Sequence, residues 1–202
     1  GRSWEDGNLM SNTVLPPAES RPRTLVTGAV LGSITSVMFF AGLFAIYFSM
    51  RADANAWGSE WFPEGAIQLV PGGMNMATLS LSVVTMAWAV RSVSNNDRIH
   101  AYLALGLTAL LGVAVINQTV FYLNDIGLPV DYSKATTLLF TIVGAHMTML
   151  GIGVIWNLLL LIRAFGGQDT RRHQDLVSAL SFYWYAGVAV YSIIWIGIYI
   201  AK

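Results

Sequence analysis

The chain has 202 residues, of which 55% are apolar and only 11% are charged, whereas an ordinary soluble domain is roughly 25% charged. This composition predicts an integral membrane protein. The sequence has no cysteine and a formal net charge of zero, which excludes disulfides, thiolate metal sites and iron–sulfur clusters and gives no reason to expect a nucleic-acid partner.

The chain opens with a polar segment, Gly1 to Thr24, which lacks the basic start and short apolar core of a secretory signal. We expect an extended arm on one membrane face. The first apolar run, Leu25 to Met50, is long enough to cross a bilayer, since about 20 residues suffice. Its small residues Gly28, Gly32 and Ser36 lie four positions apart, and this stripe predicts the close approach of a neighbouring helix.

Four further spans follow an interfacial loop, Arg51 to Val70, that contains two tryptophans. They run from Pro71 to Val90, from Ala101 to Leu123, from Ala135 to Ile162 and from Leu176 to Ala201. Because the backbone of a lipid-exposed segment must satisfy its own hydrogen bonds, five such spans predict an all-α integral membrane bundle. We therefore divide the chain into an arm, residues 1–24, and a five-helix membrane domain, residues 25–202.

Basic residues are unevenly distributed between the two faces of this predicted bundle. One face carries eight arginines and the other three basic residues; the two sets are Arg2, Arg21, Arg23, Arg91, Arg98, Arg163, Arg171 and Arg172, against Arg51, Lys134 and Lys202. The positive-inside rule places the arginine-rich face in the cytoplasm. We expect a multi-pass plasma membrane protein with a cytoplasmic N-terminus and an external C-terminus.

His146 is the only strongly ionisable side chain deep inside a predicted span. Proton pumps and ion-coupled transporters normally need intramembrane carboxylates, and all eleven acids of this chain lie in loops or tails. A bis-histidine haem would need a second histidine at depth, but His100 and His173 lie in or beside polar loops. We expect a neutral imidazole bonded to a hydroxyl or carbonyl of a neighbouring helix, with lipid or partner-subunit contact as the alternatives.

Two other groups of residues have both a functional and a structural interpretation. Tyr191, Trp195 and Tyr199 recur every four residues, which is typical of a packing stripe or interfacial anchor and would also suit a cofactor wall. Asn117 and Gln118 could form a polar site or could bond helices together.

The third group is a basic cluster formed by Arg163, Arg171 and Arg172 with His173. It would suit an acidic phospholipid, and equally it could serve only to set the topology. Both interpretations stay open.

Five sequence elements in order give the chain a family resemblance. They are MFFAGLFAIYF (Met38 to Phe48), Pro71 with Asn75, Gln118 with Tyr122, VGAH ending at His146, and SFYWY (Ser181 to Tyr185) followed by IGIYI. With these elements the chain resembles subunit III of haem-copper terminal oxidases, in the short five-helix form of bacterial cytochrome c oxidases. The resemblance extends over nearly the whole chain after about Arg21.

The chain departs from the family pattern at several ionisable positions. Ser36 and Phe121 stand where the family usually has glutamate, Met149 replaces the second histidine of an H-x-x-H element, and Tyr185 and Val188 replace a histidine and an aspartate. This copy therefore has no carboxylate at those positions for handling protons. The pattern points to a divergent branch or to a structural role.

The resemblance implies a non-catalytic core subunit of an enzyme that reduces oxygen to water and translocates protons. Haem and copper would belong to a partner catalytic subunit, and this chain would hold no cofactor, metal or catalytic residue. The expected partners are oxidase subunits I and II and phospholipids, with a respiratory supercomplex as a further option. The residues that we expect to contact lipid or another subunit are His146, Trp184, Arg163, Arg171 and Arg172.

Two alternatives differ in the parent complex or in the class of protein. One is a subunit III-like protein of a quinol oxidase or a nitric oxide reductase. The other is a small membrane transporter with a polar path around Asn117, Gln118 and His146.

Overall fold

The computed structural model describes residues 24–165 and 170–201, and all of the regular secondary structure in this part of the chain is helical. Five helices, each long and apolar enough to cross a membrane, confirm the predicted all-α bundle. They are α1 (Thr24–Ala56), α2 (Leu69–Ser94), α3 (Arg98–Asp125), α4 (Lys134–Phe165) and α5 (Thr170–Ile194), and α5 continues into a π-helical turn, Trp195–Ile200. The predicted arm lies outside the described residues except for Thr24, which begins α1.

The helices are longer than the apolar runs that predicted them. α1 continues six residues beyond Met50 to Ala56, and α5 begins six residues before Leu176 at Thr170. Both extensions are polar, and they contain alanine, arginine and glutamine, which are good helix formers in water. Hydropathy therefore predicts the part of a helix that crosses the bilayer, whereas backbone propensity decides where the helix ends.

The turn between α2 and α3 is also shorter than predicted. α2 ends at Ser94, and Asn96 adopts a positive φ of 56°, which asparagine tolerates better than most residues. Asp97 then caps α3 by accepting a hydrogen bond from the backbone N–H of His100. Only three residues separate the two helices, so α2 and α3 pack against each other as antiparallel neighbours.

α5 lies among α1, α2 and α4. Its Trp184 fits against two glycines: a Cβ on Gly112 of α3 would lie 2.7 Å from the indole, and one on Gly153 of α4 would lie 3.1 Å from it. Small residues thus let the largest side chain of the bundle reach its centre. α5 therefore packs against three of the other four described helices, while α3 packs against α2 and α4.

The two glycines of the small-residue stripe on α1 have no close neighbour in the other described helices. Gly28 and Gly32 are exposed, no described atom would lie within 4 Å of a Cβ on either, and the Ser36 hydroxyl donates to the Gly32 carbonyl of its own helix. α1 instead buries a different side, which carries Ser33, Phe40, Phe44 and Tyr47. No other described helix of this chain lies against Gly28 or Gly32, because larger aromatic side chains offer more buried contact on the other side of α1. The close approach of a neighbouring helix to this stripe stays a prediction.

Candidate functional site

His146 lies in the middle of α4 and faces α5. Its Nε2 is 3.0 Å from the Gly187 carbonyl oxygen, so this nitrogen carries the proton and donates. The ring also contacts Tyr191 of α5 and Phe40 of α1, with ring centroids 5.2 Å and 6.5 Å apart. Only 3% of the side chain is exposed. The expected bond to a carbonyl of a neighbouring helix is thus present.

The aromatic stripe at the end of α5 packs against the first turns of α2. The Tyr191 hydroxyl donates to the Gly72 carbonyl at 3.0 Å, and the Tyr199 ring lies so close that a Cβ on Gly72 would be 2.5 Å from Cδ1 of that ring. Trp195 is half-buried beside Gly73. The packing interpretation therefore describes this stripe, and its tyrosine rings leave no space beside Gly72 for a cofactor.

Buried hydroxyl and amide groups join α2 to α3 and α5 across the bundle. Trp184 Nε1 donates to Ser82 Oγ at 2.9 Å, and the hydroxyls of Thr85 and Thr108 lie 2.7 Å apart. Nearer the other membrane face, Asn75 Nδ2 of α2 donates to Thr119 Oγ1 of α3 at 3.1 Å. On α4, Asn157 Nδ2 donates to the backbone carbonyl of Leu105 at 3.0 Å. Each of these bonds connects two helices, so together they fix helix positions.

The sequence interpretation missed most of these residues, although α2 carries a readable signal. Its buried polar positions Asn75, Ser82, Thr85 and Ser92 are spaced by seven, three and seven residues, and this spacing puts them on one side of a helix. A polar stripe with helical spacing inside an apolar run predicts contact with other helices, since lipid would leave those groups unpaired.

The amide pair on α3 is not a polar site. Asn117 is exposed, and Gln118 makes only a weak bond from Nε2 to the sulfur of Met74 at 3.6 Å. The neighbouring Thr119 makes the interhelical bond instead. His146 makes its contacts with α5 and α1, so the structure does not bring it together with these amides.

The five residues predicted for lipid or subunit contact fall into two groups. Trp184 and His146 are 2% and 3% exposed, and their partners lie within the chain. Arg163 is exposed in the last turn of α4. Arg171 and Arg172 lie in the first turn of α5, but their side chains are outside the described residues. Contact of any of the five with lipid or another subunit stays a prediction.

The helix ends near Arg163 are joined by side chains. The Tyr102 hydroxyl of α3 donates to the Ala164 carbonyl of α4 at 2.9 Å, and Gln174 Nε2 of α5 donates to the Val93 carbonyl of α2 at 3.2 Å. Terminal carbonyls have no partner within their own helix. The first bond satisfies a carbonyl at the end of α4, the second adds to the Asn96 N–H that the Val93 carbonyl already accepts, and together they join four helices in two pairs at one face.

The described histidines and acids do not form a metal-binding group. Among residues 24–165 and 170–201, no three histidines, aspartates or glutamates lie together in a way that could hold a metal ion. His146 uses Nε2 for the Gly187 carbonyl, and His100 pairs with Asp97. What the buried groups can do is position helices.

Comparison with known proteins gives one consistent result. A model of the family described as cytochrome c oxidase subunit III matches residues 19–202. Cytochrome c oxidase subunit 3 of Corynebacterium diphtheriae is 28% identical over 91% of this chain and 89% of its own length. The proteins of the same name from Papio hamadryas and Petromyzon marinus are 30% and 29% identical, over 88% and 85% of this chain and 69% and 67% of their own lengths.

Proposed function

The chain belongs to the cytochrome c oxidase subunit III family and is a subunit III of a haem-copper oxidase, and from this premise we propose that it is a non-catalytic core subunit. As such it is part of a membrane-bound oxidoreductase complex and lies beside other oxidase subunits. Its role is to support the catalytic subunit, which carries the haems and copper, by packing and by binding phospholipid. The complex reduces oxygen to water with electrons from cytochrome c and translocates protons.

The bond between His146 and the Gly187 carbonyl is the observation that carries this proposal. His146 is the only strongly ionisable side chain that the sequence places deep in a span, and its proton-bearing nitrogen donates to a carbonyl of α5. Buried polar side chains of α2, α3, α4 and α5 likewise bond to hydroxyls or backbone carbonyls of neighbouring helices. An interior in which polar side chains bond one helix to another supports a scaffold role.

We extend the proposal to partners and to placement in the membrane. Subunits I and II are the neighbours that a core subunit of this kind contacts. The arginine-rich face, which includes Arg163, Arg171 and Arg172, lies in the cytoplasm of a plasma-membrane complex and attracts anionic phospholipid headgroups. Residues 25–202 form the membrane domain and residues 1–24 the cytoplasmic arm. His146 and Trp184 act on these contacts by fixing the positions of α4 and α5.

The comparisons favour the cytochrome c oxidase assignment over the alternatives. The matching family model and the named relatives are all described as cytochrome c oxidase subunit III or 3. The transporter alternative required a path through Asn117, Gln118 and His146, but Asn117 is exposed and His146 bonds to α5. A polar path of that kind has no support in the contacts.

The proposal can be tested by purifying the complex from cells that lack this chain, from cells in which the chain is restored, and from cells that carry an altered chain. We expect the complex lacking the chain to keep its haem and copper spectra and some oxygen consumption, and to lose activity faster during turnover. A His146→Leu variant should assemble and keep the initial rate within about twofold, because about one interhelical hydrogen bond is lost.

The matched control is Asn117→Leu, which alters an exposed position on a neighbouring helix. Loss of the haem spectrum on deletion of the chain alone, with the catalytic subunit still present in normal amount, would contradict a non-catalytic role. So would a haem that remains with this chain after the other subunits are removed.

A further inference from the structure

The turn between α2 and α3 holds an imidazole between a carboxylate and an indole. His100 Nδ1 lies 2.6 Å from Asp97 Oδ2, while the other carboxylate oxygen, Oδ1, accepts the backbone N–H of His100 at 3.2 Å. The imidazole also lies against Trp88 of α2, with ring centroids 5.9 Å apart. Both members of the ion pair remain accessible, at 55% and 44% exposure. One carboxylate therefore caps α3 and binds the imidazole at the same time.

The strength of this arrangement depends on the charge of the imidazole. A neutral ring gives Asp97 an ordinary hydrogen bond, whereas an imidazolium gives it a charge-assisted bond, which is shorter and stronger. A cation within about 6 Å of an indole ring is also attracted by its π face. Histidine is the side chain that ordinarily changes charge between about pH 5 and about pH 8.

The carboxylate partner stays ionised over that range. The backbone N–H of His100 lowers the pKa of the Asp97 carboxyl below its usual value. A lowered folded-state pKa means that the stability contributed by Asp97 is present above its unfolded pKa and is lost only as pH falls through the folded value. Asp97 therefore remains a charged partner when the pH of the adjoining phase falls through the range in which histidine ordinarily changes charge.

Charged residues of both signs lie near this turn. Arg91 on α2 and Arg98 on α3 are the nearest charged residues in sequence, and Arg163 and Asp175 lie at the ends of α4 and α5 on the same face. In the described part of the chain, the His100 ring contacts Asp97 and Trp88. The positive N-terminal end of α3 also disfavours a cation there.

We propose that the α2–α3 turn is a proton-sensitive helix cap, in which protonation of His100 tightens the first turn of α3. That turn leads directly to Tyr102, which bonds the end of α4, while the end of α2 is bonded by Gln174 of α5. The cap thus lies beside two bonds that join the ends of these four helices in pairs, and its strength follows the pH of the adjoining aqueous phase. This inference does not depend on the proposed function.

Hydrogen exchange of the assembled complex measures the cap directly. After correction for the intrinsic pH dependence of exchange, we expect protection of the first turn of α3 to rise about two- to fivefold from about pH 8 to about pH 5.5, as an exposed pair allows. His100→Gln should abolish the rise, and Trp88→Phe should reduce it. Asp97→Asn should lower protection at low pH most.

The first turn of α4 is an internal control. It is capped by Ser133, whose Oγ accepts the Thr136 N–H at 3.1 Å and has no titratable partner, so its corrected protection should not change with pH. Normal exchange there and in α5 also shows that a variant is folded. A flat profile for α3 in the wild type, or the same rise in His100→Gln, would overturn the proposal.

Discussion

Glycine at position 72 shows how a single missing methyl group sets the distance between two helices. Tyr191 bonds its carbonyl and Tyr199 covers its Cα, so α5 can lie directly on the first turns of α2. A larger side chain there would push the π-helical turn away. The next residue, Gly73, has more room, because the nearest atom to a Cβ would be Trp195 Nε1 at 4.0 Å.

We therefore expect Gly72→Ala to be destabilising relative to Gly73→Ala. Both substitutions gain about 1 kcal/mol of helix propensity, but only the first forces a Cβ to within 2.5 Å of the Tyr199 ring. Overpacking of this kind costs about 1 to 3 kcal/mol. Unfolding of the purified complex in increasing denaturing detergent, followed through this subunit, measures the difference. Equal midpoints for the two variants would contradict the assigned contact.

At single residues, the sequence predicted the chemistry of a contact more readily than its partner. The bond of His146 to a backbone carbonyl follows from the cost of leaving an imidazole unpaired in lipid. Its partner, Gly187, could not be predicted, since nothing local indicates which helix faces α4. The partner of the small-residue stripe on α1 could not be predicted either, because small residues permit a close approach but do not select the helix that approaches.

At the scale of elements, helix pairs are held together by polar bonds whose energies are small. Lipid is as apolar as leucine, so burial of apolar side chains gives little drive for association, and interhelical hydrogen bonds average about 0.6 kcal/mol. The pairs that join α2 to α3, Thr85 with Thr108 and Asn75 with Thr119, are of this kind. Several weak bonds along one side of α2 together fix the position of α2 relative to α3, which no single bond of this strength could do.

A double-mutant cycle on Thr85→Val and Thr108→Val tests this account. We expect a coupling free energy of about 0.6 kcal/mol, and no more than about 1.7 kcal/mol, in the unfolding free energy of the subunit. The control cycle uses Thr35→Val and Thr148→Val, since these exposed threonines bond only to carbonyls of their own helices. The control pair should show no coupling. Coupling of the same size in both cycles would mean that the Thr85–Thr108 bond contributes nothing specific.

The ends of the elements were predicted less well than their existence. A long apolar run identifies a span because the bilayer requires it, and all five runs became helices. The polar composition of residues 51–56 and 170–175 predicts loops, although both stretches are helical. The sequence does not predict the Asp97 cap, because an aspartate three residues before a histidine is a weak signal. The turn geometry that brings the two side chains together is visible only in the structure.

For the whole molecule, the sequence predicted the class of fold but not the order of neighbours. The short turn makes α2 and α3 adjacent, and that much follows from its length. The central place of α5, which contacts α1, α2 and α4, does not follow, because α1 and α5 are the most distant elements in sequence. Trp184 and the glycines that admit it decide the arrangement, and their pairing is visible only in three dimensions.

The unequal distribution of charged residues between the two faces of the bundle predicts how the chain is oriented in the membrane. Arginines at one face, among them Arg91, Arg98 and Arg163, oppose acids at the other, among them Glu60 and Asp125. Positive residues near spans are retained in the cytoplasm during insertion. The connection between α1 and α2 should therefore lie outside the cell, and the turn between α2 and α3 should lie inside.

Single cysteines test this topology cleanly, because the chain has none of its own. Glu60→Cys and Asn95→Cys place an exposed thiol at opposite faces. A membrane-impermeant maleimide should label Glu60→Cys in intact cells and Asn95→Cys only after the cells are opened, with both labelled equally in detergent. The reverse pattern would place the arginine-rich face outside, and the phospholipid contacts proposed for Arg163, Arg171 and Arg172 would then lie in the opposite leaflet.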